Sequence, residues 1–312
     1  LLAYASMNER IFIMPISNYP SGFTSGVTIK GIPVLNSYSG NVYWVDSNSS
    51  GTAGTFATPD QTLSAATNRC TANNGDLVLI KPGHAETVSS AGALDAFDVA
   101  GVTYIGLGSG TDQPTITLDT AVSADVDIGA ANVTIDNVHF IANFADIAVM
   151  IDVNATDFTL RNSRFTQAGD NLNAKICIQD AAAAGSDRIT VEGCKAIMYD
   201  AANTHFINFA GTGTGHIVRD NVLHGDFGTF AIGGAGVITF CEIARNVIGN
   251  IANTADGCIN LASGATGVVV NNLCAGAAAQ ANGVTATACV IAENYYGVIS
   301  EDLSGILDPI AT

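Results

Sequence analysis

The sequence predicts an all-β fold, a β-solenoid of about nine stacked coils with an extended arm in front of it. Three observations carry that prediction. Seven short segments recur: 133–137 (VTIDN), 158–162 (FTLRN), 189–193 (ITVEG), 217–221 (IVRDN), 242–246 (EIARN), 268–272 (VVVNN) and 290–294 (VIAEN). Their last residues lie 25, 31, 28, 25, 26 and 22 positions apart. All but one end on Asn, and the exception ends on Gly. A unit of this size cannot bury its own apolar face, so it stacks on its neighbours.

Within each segment apolar residues alternate with polar ones. Val133 and Ile135, Phe158 and Leu160, and Ile189 and Val191 fall on one face; Thr134 and Asp136, Thr159 and Arg161, and Thr190 and Glu192 fall on the other. Period two with one buried face is the strand signature. Asn tolerates the left-handed backbone of a sharp bend, and Gly adopts it freely. The terminal residues Asn137, Asn162, Gly193, Asn221, Asn246, Asn272 and Asn294 are therefore expected to form one structural ladder, with side-chain amides bonded up the stack. The register extends back through 102–106 (VTYIG) and 77–81 (LVLIK), and second strands are expected at 149–153, 175–179, 205–209 and 257–261.

A short helix is expected over residues 58–71. Thr58 suits the N-cap, Pro59 the first turn and Gln61 the capping box, with Leu63, Ala66 and Cys70 on one face. Such a helix would plug the open end of the bore and protect its strand edges. Residues 1–41 are broken by Pro15, Pro20 and Pro33 and read as an extended arm or tether. The solenoid takes residues 42–300, and residues 301–312 read as a C-terminal tail or contact segment.

The start of the solenoid region carries a resemblance. Residues 42–87 run from a strand (VYWVD) through a Gly/Ser loop (SNSSGTAGTFATP) and the helix to IKPGHAET. The stretch resembles the opening of the pectate-lyase-like superfamily, whose first full coil commonly reads GD-x-I-x-I-x-PG-x-Y. Gly75, Asp76, Pro82 and Gly83 stand at the matching positions. The resemblance covers about residues 42–300 and implies a right-handed, single-stranded parallel β-helix. It is nearly silent on chemistry. The segment YWVDSNSSGTAGTFATPDQTLSAA also resembles the β-helix proteins of tailed-phage structural modules.

Composition narrows the partners. The net charge is −17, with only 11 Lys and Arg residues, which argues against nucleic acid and anionic membranes. Only 12% of residues are charged, against ~25% in an ordinary domain. So few charges leave an apolar surface suited to burial against other subunits. The seven Cys are scattered, without the spacing of a zinc site. They are expected to be free and buried, which fits folding in a reducing compartment such as a host cytoplasm. No secretory signal and no apolar run long enough to span a membrane is expected, and no cofactor or metal is implied.

Candidate chemistry is sparse. The residue before each terminal Asn or Gly forms a column: Asp136, Arg161, Glu192, Asp220, Arg245, Asn271 and Glu293. Here Glu192 next to Asp220 is the adjacent carboxylate pair that could serve as acid and base. His216 and His224 flank the same coil near Asp220 and Asp226. If the chain is an enzyme, Glu192, Asp220, His216 and His224 are the candidate catalytic residues. The competing reading of the column is an ion ladder on an exposed face. A second column, His139, Arg164 and Lys195, is basic for three coils before turning apolar at Leu223 and Ile248.

Two function classes follow. One is a non-enzymatic virion structural protein, a decoration or fibre-like protein on a phage capsid or tail, assembled in the host cytoplasm. Its partners would be other virion proteins and copies of itself, a trimer being the first expectation. The alternative is a polysaccharide-degrading tailspike, a lyase or a glycoside hydrolase, with carbohydrate as partner.

Overall fold

The computed structural model describes residues 27–29, 32–34, 40–94, 96–180, 186–252, 257–276, 283–298 and 304–307. The chain forms two compact units, residues 1–39 and 40–312. In the first, Val27–Ile29 and Ile32–Val34 pair as a short antiparallel hairpin. The remainder of the expected arm up to residue 39 lies outside the described residues. Asn41 belongs to the second unit, where its backbone N–H donates to the Asp76 carboxylate at 2.6 Å.

The second unit is a parallel β-solenoid of about eight turns with almost no helix. Among the described residues three long sheets run along it, and Gly213–Thr214 and Ile238–Thr239 form a fourth, two-stranded one. The first carries ten strands, from Val42–Val45 through Thr159–Arg161 and Ile217–Arg219 to Val290–Ala292. The second, also ten-stranded, runs from Ala85–Val88 through Arg164–Gln167 to Asn294–Val298. Its last strand, Ser304–Leu307, pairs antiparallel with Asn294–Val298 and covers the open edge. This strand falls within the expected C-terminal tail. The third sheet has seven strands and starts only at Val126–Ile128. The early strands Val42–Val45 and Leu77–Ile80 thus have no counterpart in it, which accounts for fewer turns than nine.

The second strands expected at 149–153, 175–179, 205–209 and 257–261 form the third sheet as Ile147–Val153, Ala174–Asp180, His205–Phe209 and Ile259–Asn260. The helix is shorter than expected. It spans Leu63–Thr67, and Thr62 rather than Thr58 is its N-cap, accepting from the Ala65 N–H at 3.1 Å. The reason is local. Asp60 is held in extended pairing with the first strand, its N–H donating to Trp44 and its carbonyl accepting from Asp46, so no helix can begin there. Leu63 and Ala66 are fully buried, whereas Cys70 lies beyond the helix.

The bore is filled by the inward alternation of all three sheets. Phe140 stacks on Phe165 at 5.2 Å between centroids, and Phe206 meets Phe165 edge-on at 5.5 Å. All three are fully buried. The seven Cys are free; Cys177, Cys194, Cys241, Cys258 and Cys274 are buried, desolvation raises the thiols of Cys177, Cys194 and Cys241, and the contact with Cys258 followed by desolvation raises that of Cys274.

The seven terminal residues do not form one column. Arg161 pairs in register with Glu192, and Glu192 with Arg219. Gly193 is therefore level with Asp220, not with Asn221. The turn column is Asn137, Asn162, Gly193, Asp220, Arg245, Asn271 and Glu293, with φ of 59°, 52°, 65°, 58°, 55°, 57° and 53°. One position further on, Val138, Ser163, Cys194, Asn221, Asn246, Asn272 and Asn294 point inward and are buried.

That inner column is where the ladder forms. The Oδ1 atoms of Asn221, Asn246, Asn272 and Asn294 accept from the backbone N–H of Cys194, Asn221, Asn246 and Asn272, at 2.9, 3.2, 3.0 and 3.0 Å. Each Nδ2 donates back to a buried carbonyl, of Val191, Val218, Ile243 and Val269 respectively. Ser163 Oγ takes the same role for the Val138 N–H at 3.2 Å. Asn137 and Asn162 stand outside the ladder. Asn137 donates to the Gly106 and Gly108 carbonyls, and Asn162 to the Asp136 carboxylate. In early coils Asn or Gly eases the left-handed bend, which later coils form with Asp220, Arg245, Asn271 and Glu293. In later coils Asn is needed to satisfy buried backbone groups.

Candidate functional site

The carboxylate column becomes two interleaved columns once the register is known. Asp136, Arg161, Glu192 and Arg219 are level on the first sheet. Arg161 Nε lies 3.0 Å from Asp136 Oδ2, and Arg219 Nη2 lies 2.9 Å from Glu192 Oε2. Asp220 and Arg245 follow one position on, in the turn column, joined by two bonds of 2.8 and 3.0 Å. Arg219 reaches Asp220 at 4.0 Å and Glu242 at 3.9 Å, and Arg245 reaches Glu242 at 3.7 Å. Glu192 and Asp220 are thus not strand neighbours. The hydrogen bonds from Arg245 hold the Asp220 carboxyl below the ordinary aspartate value, opposite to what a general acid needs.

His216 and His224 are on opposite sides of the wall. His216 is fully buried in the bore, stacked on Phe209 at 5.3 Å. Its Nδ1 accepts from the Ile189 N–H at 3.2 Å, which leaves the proton of the neutral ring on Nε2. That nitrogen faces Asp180 Oδ2 at 3.6 Å, too far for a hydrogen bond, and both atoms lack a partner. Burial pushes His216 down to about 4 and Asp180 up to about 6. Shifts of this kind accompany burial in reaction centres and in structural cores alike. The pair has no exposed surface through which a substrate could reach it. His224 is exposed on the outer face of the second sheet, lining a cavity of about 650 Å³ with Val247, Leu273 and Tyr295.

The basic column also shifts by one. Lys195 is level with Val222, and that row continues through Val247 and Leu273 to Tyr295. Leu223 and Ile248, expected in the row, point inward and are buried. Val247, Leu273 and Tyr295 are 37%, 54% and 49% exposed, so the outer face of the later coils is apolar. On the first sheet Val268 and Val290 extend that character around the rod. His139 begins the row; its Nε2 meets Thr166 Oγ1 at 2.8 Å, and burial, reinforced by Arg164, pushes it down to about 4.

Sequence reasoning missed the Asp180–His216 pair and the exposed apolar row. One signal was available for each. His216 has the parity of the inward Ile189, and Val247, Leu273 and Tyr295 share the parity of Lys195 once the inward Asn is aligned. Among the described residues no group of three or more His, Cys, Asp and Glu side chains could hold a metal ion, and no helix is long and apolar enough to cross a membrane.

No protein-family model matches the chain, and no curated protein matches it. A solved structure described as a rhamnogalacturonan lyase is similar at 12% sequence identity and a TM-score of 0.47. The similarity covers 87% of this chain but 66% of that one.

Proposed function

We propose that the chain is a non-enzymatic virion structural protein, a β-solenoid decoration or fibre-like protein attached to a phage capsid or tail. The observation that carries this reading is the fate of the candidate acid–base groups. Glu192 and Asp220 are committed to Arg219 and Arg245, and His216 is sealed in the bore. An ion ladder of this kind ties coil to coil, which suits a rigid solenoid. The apolar row Val247, Leu273 and Tyr295 supports association with virion proteins or with copies of the chain in a closed oligomer such as a trimer. The handedness of the family resemblance, a plugging role for Leu63–Thr67 and a tethering role for the arm belong to the same proposal.

The second reading is a polysaccharide-degrading tailspike. The cavity that carries His224 and, three strands further along the same sheet, exposed Tyr295 favours it, because an extended groove with an aromatic face suits a chain of sugar rings. One experiment separates the two. The purified chain is incubated with a panel of capsular and pectic polysaccharides, and purified particles are searched for its mass. The structural reading expects no release of reducing ends and recovery of the chain in the particle. Release that disappears in Asp220→Asn or His224→Ala would put the tailspike first.

A further inference from the structure

Cations are scarce in this acidic chain, and most described ones are spoken for. Arg69, Lys81, Arg161, Arg188, Arg219 and Arg245 each have a carboxylate within ion-pair distance. Arg164, Lys175 and Lys195 have none among the described residues. Two of these three are direct register partners on neighbouring strands, Arg164 level with Lys195. Their Cα atoms are thus about 4.8 Å apart, and like charges so placed repel. A protein with net charge −17 has carboxylates to spare for neutralising them. The nearest column of acids, Asp136 and Glu192, is instead turned to Arg161 and Arg219.

Arg164 and Lys195 border a cavity of about 530 Å³. Its other walls are Ser109, Gln113, Asn137 and Asn162, with Gly193 and Ile197, and no lining residue is acidic. Gln113 and Asn137 are already joined, Gln113 Nε2 donating to Asn137 Oδ1 at 3.1 Å. Gly193, where the column on either side carries Asn162 and Asp220, brings no side chain of its own to the cavity wall, and the Asn162 amide lies against its Cα.

We propose that this cavity is a phosphate-binding site, with Arg164 and Lys195 as its two cationic contacts. A guanidinium and an ammonium on one rung match a doubly charged group with several oxygens better than a single carboxylate, which Arg164 alone would satisfy. The neutral amide and hydroxyl walls suit a small hydroxylated ligand bearing the phosphate. The field of the whole protein repels a polyanion such as nucleic acid but leaves room for one small group held by two local charges. Arg164 and Lys195 stand on the second sheet at the head of the outer row that turns apolar from Val222 onward, and the buried Asp180–His216 pair is not among the cavity walls.

The test is calorimetric titration and thermal unfolding of the whole chain with inorganic phosphate and with glucose 6-phosphate, against chloride at matched ionic strength. Arg164→Gln and Lys195→Gln are compared with Lys175→Gln, the unpaired cation on the third sheet. The expected result is saturable binding and a raised midpoint for the native chain and Lys175→Gln. Either cavity variant should bind roughly tenfold more weakly. Without phosphate, Lys195→Gln should melt higher than the native chain, because the repulsion with Arg164 is gone. Tighter binding of the ester assigns a ligand-borne group, and equal binding assigns the free ion. Equal responses of all three variants, or no saturable binding by the native chain, would overturn the proposal.

Discussion

Asn246→Leu should lower the free energy of unfolding by about 3–5 kcal/mol, while Asn162→Gly should change it by less than about 1 kcal/mol. Both residues end the same repeated segment in the sequence, yet they do different work. Asn246 has no exposed surface, and its side chain makes four bonds. Its Oδ1 accepts from Asn221 N and Nδ2, and its Nδ2 donates to the Val218 carbonyl and Asn272 Oδ1. Leucine has the volume but none of the polar atoms, so it strands buried donors and acceptors on two neighbouring coils. Asn162 serves through its backbone, at φ 52°, with one side-chain bond to Asp136. Glycine adopts that conformation without strain and already fills the next level as Gly193. Denaturant unfolding of the two variants measures both changes. Equal losses would mean that the inner ladder and the turn column are not distinct.

Phe165→Ala is the second large effect, at about 3–5 kcal/mol. Phe165 stacks on Phe140 from one coil and meets Phe206 from the third sheet, so it holds two walls of the bore together. Removing the ring leaves a cavity that stacked coils, each paired strand to strand with the coils above and below, cannot close by collapsing. Phe240→Ala is the control. Phe240 is 80% exposed and sits at a positive φ of 53°, so losing its ring should leave stability nearly unchanged. Thermal or denaturant unfolding of both variants separates core packing from surface aromatics.

The sequence makes the architecture legible because a solenoid repeats its physics locally. Alternating apolar residues, a bend every coil and inward aromatics at Phe140, Phe158, Phe165, Phe206 and Phe209 are each visible without knowing the long-range contacts. The register is not, and it decides the site. A terminal Asn satisfies two unrelated needs in this chain, a left-handed bend at Asn137 and Asn162 and a buried amide at Asn221 through Asn294. Aligning the two as one ladder slides the later coils by one residue. That slip brings Glu192 beside Asp220 as a catalytic pair and places Leu223 on the surface. The face parity of Val218 and His216 against Val191 and Ile189 carries the correct register. A polar His at an apolar level conceals it. The helix start is obscured in a similar way, because Thr58 and Pro59 satisfy local capping rules that the pairing of Asp60 with the first strand overrides.

The central claim is that Asp136 and Glu192 on the strands and Asp220 in the turn column form an ion-pair ladder and not a reaction centre. Asp220 tests it most directly, through the NMR titration of its side-chain carboxyl in the folded chain. The ladder predicts a titration below the ordinary aspartate value, because Arg245 donates two hydrogen bonds to the ionised form. It also predicts that Arg245→Gln moves the titration upward. A carboxyl that titrates above the ordinary value in the native chain, indifferent to Arg245, would contradict the ladder and restore Asp220 as a general acid.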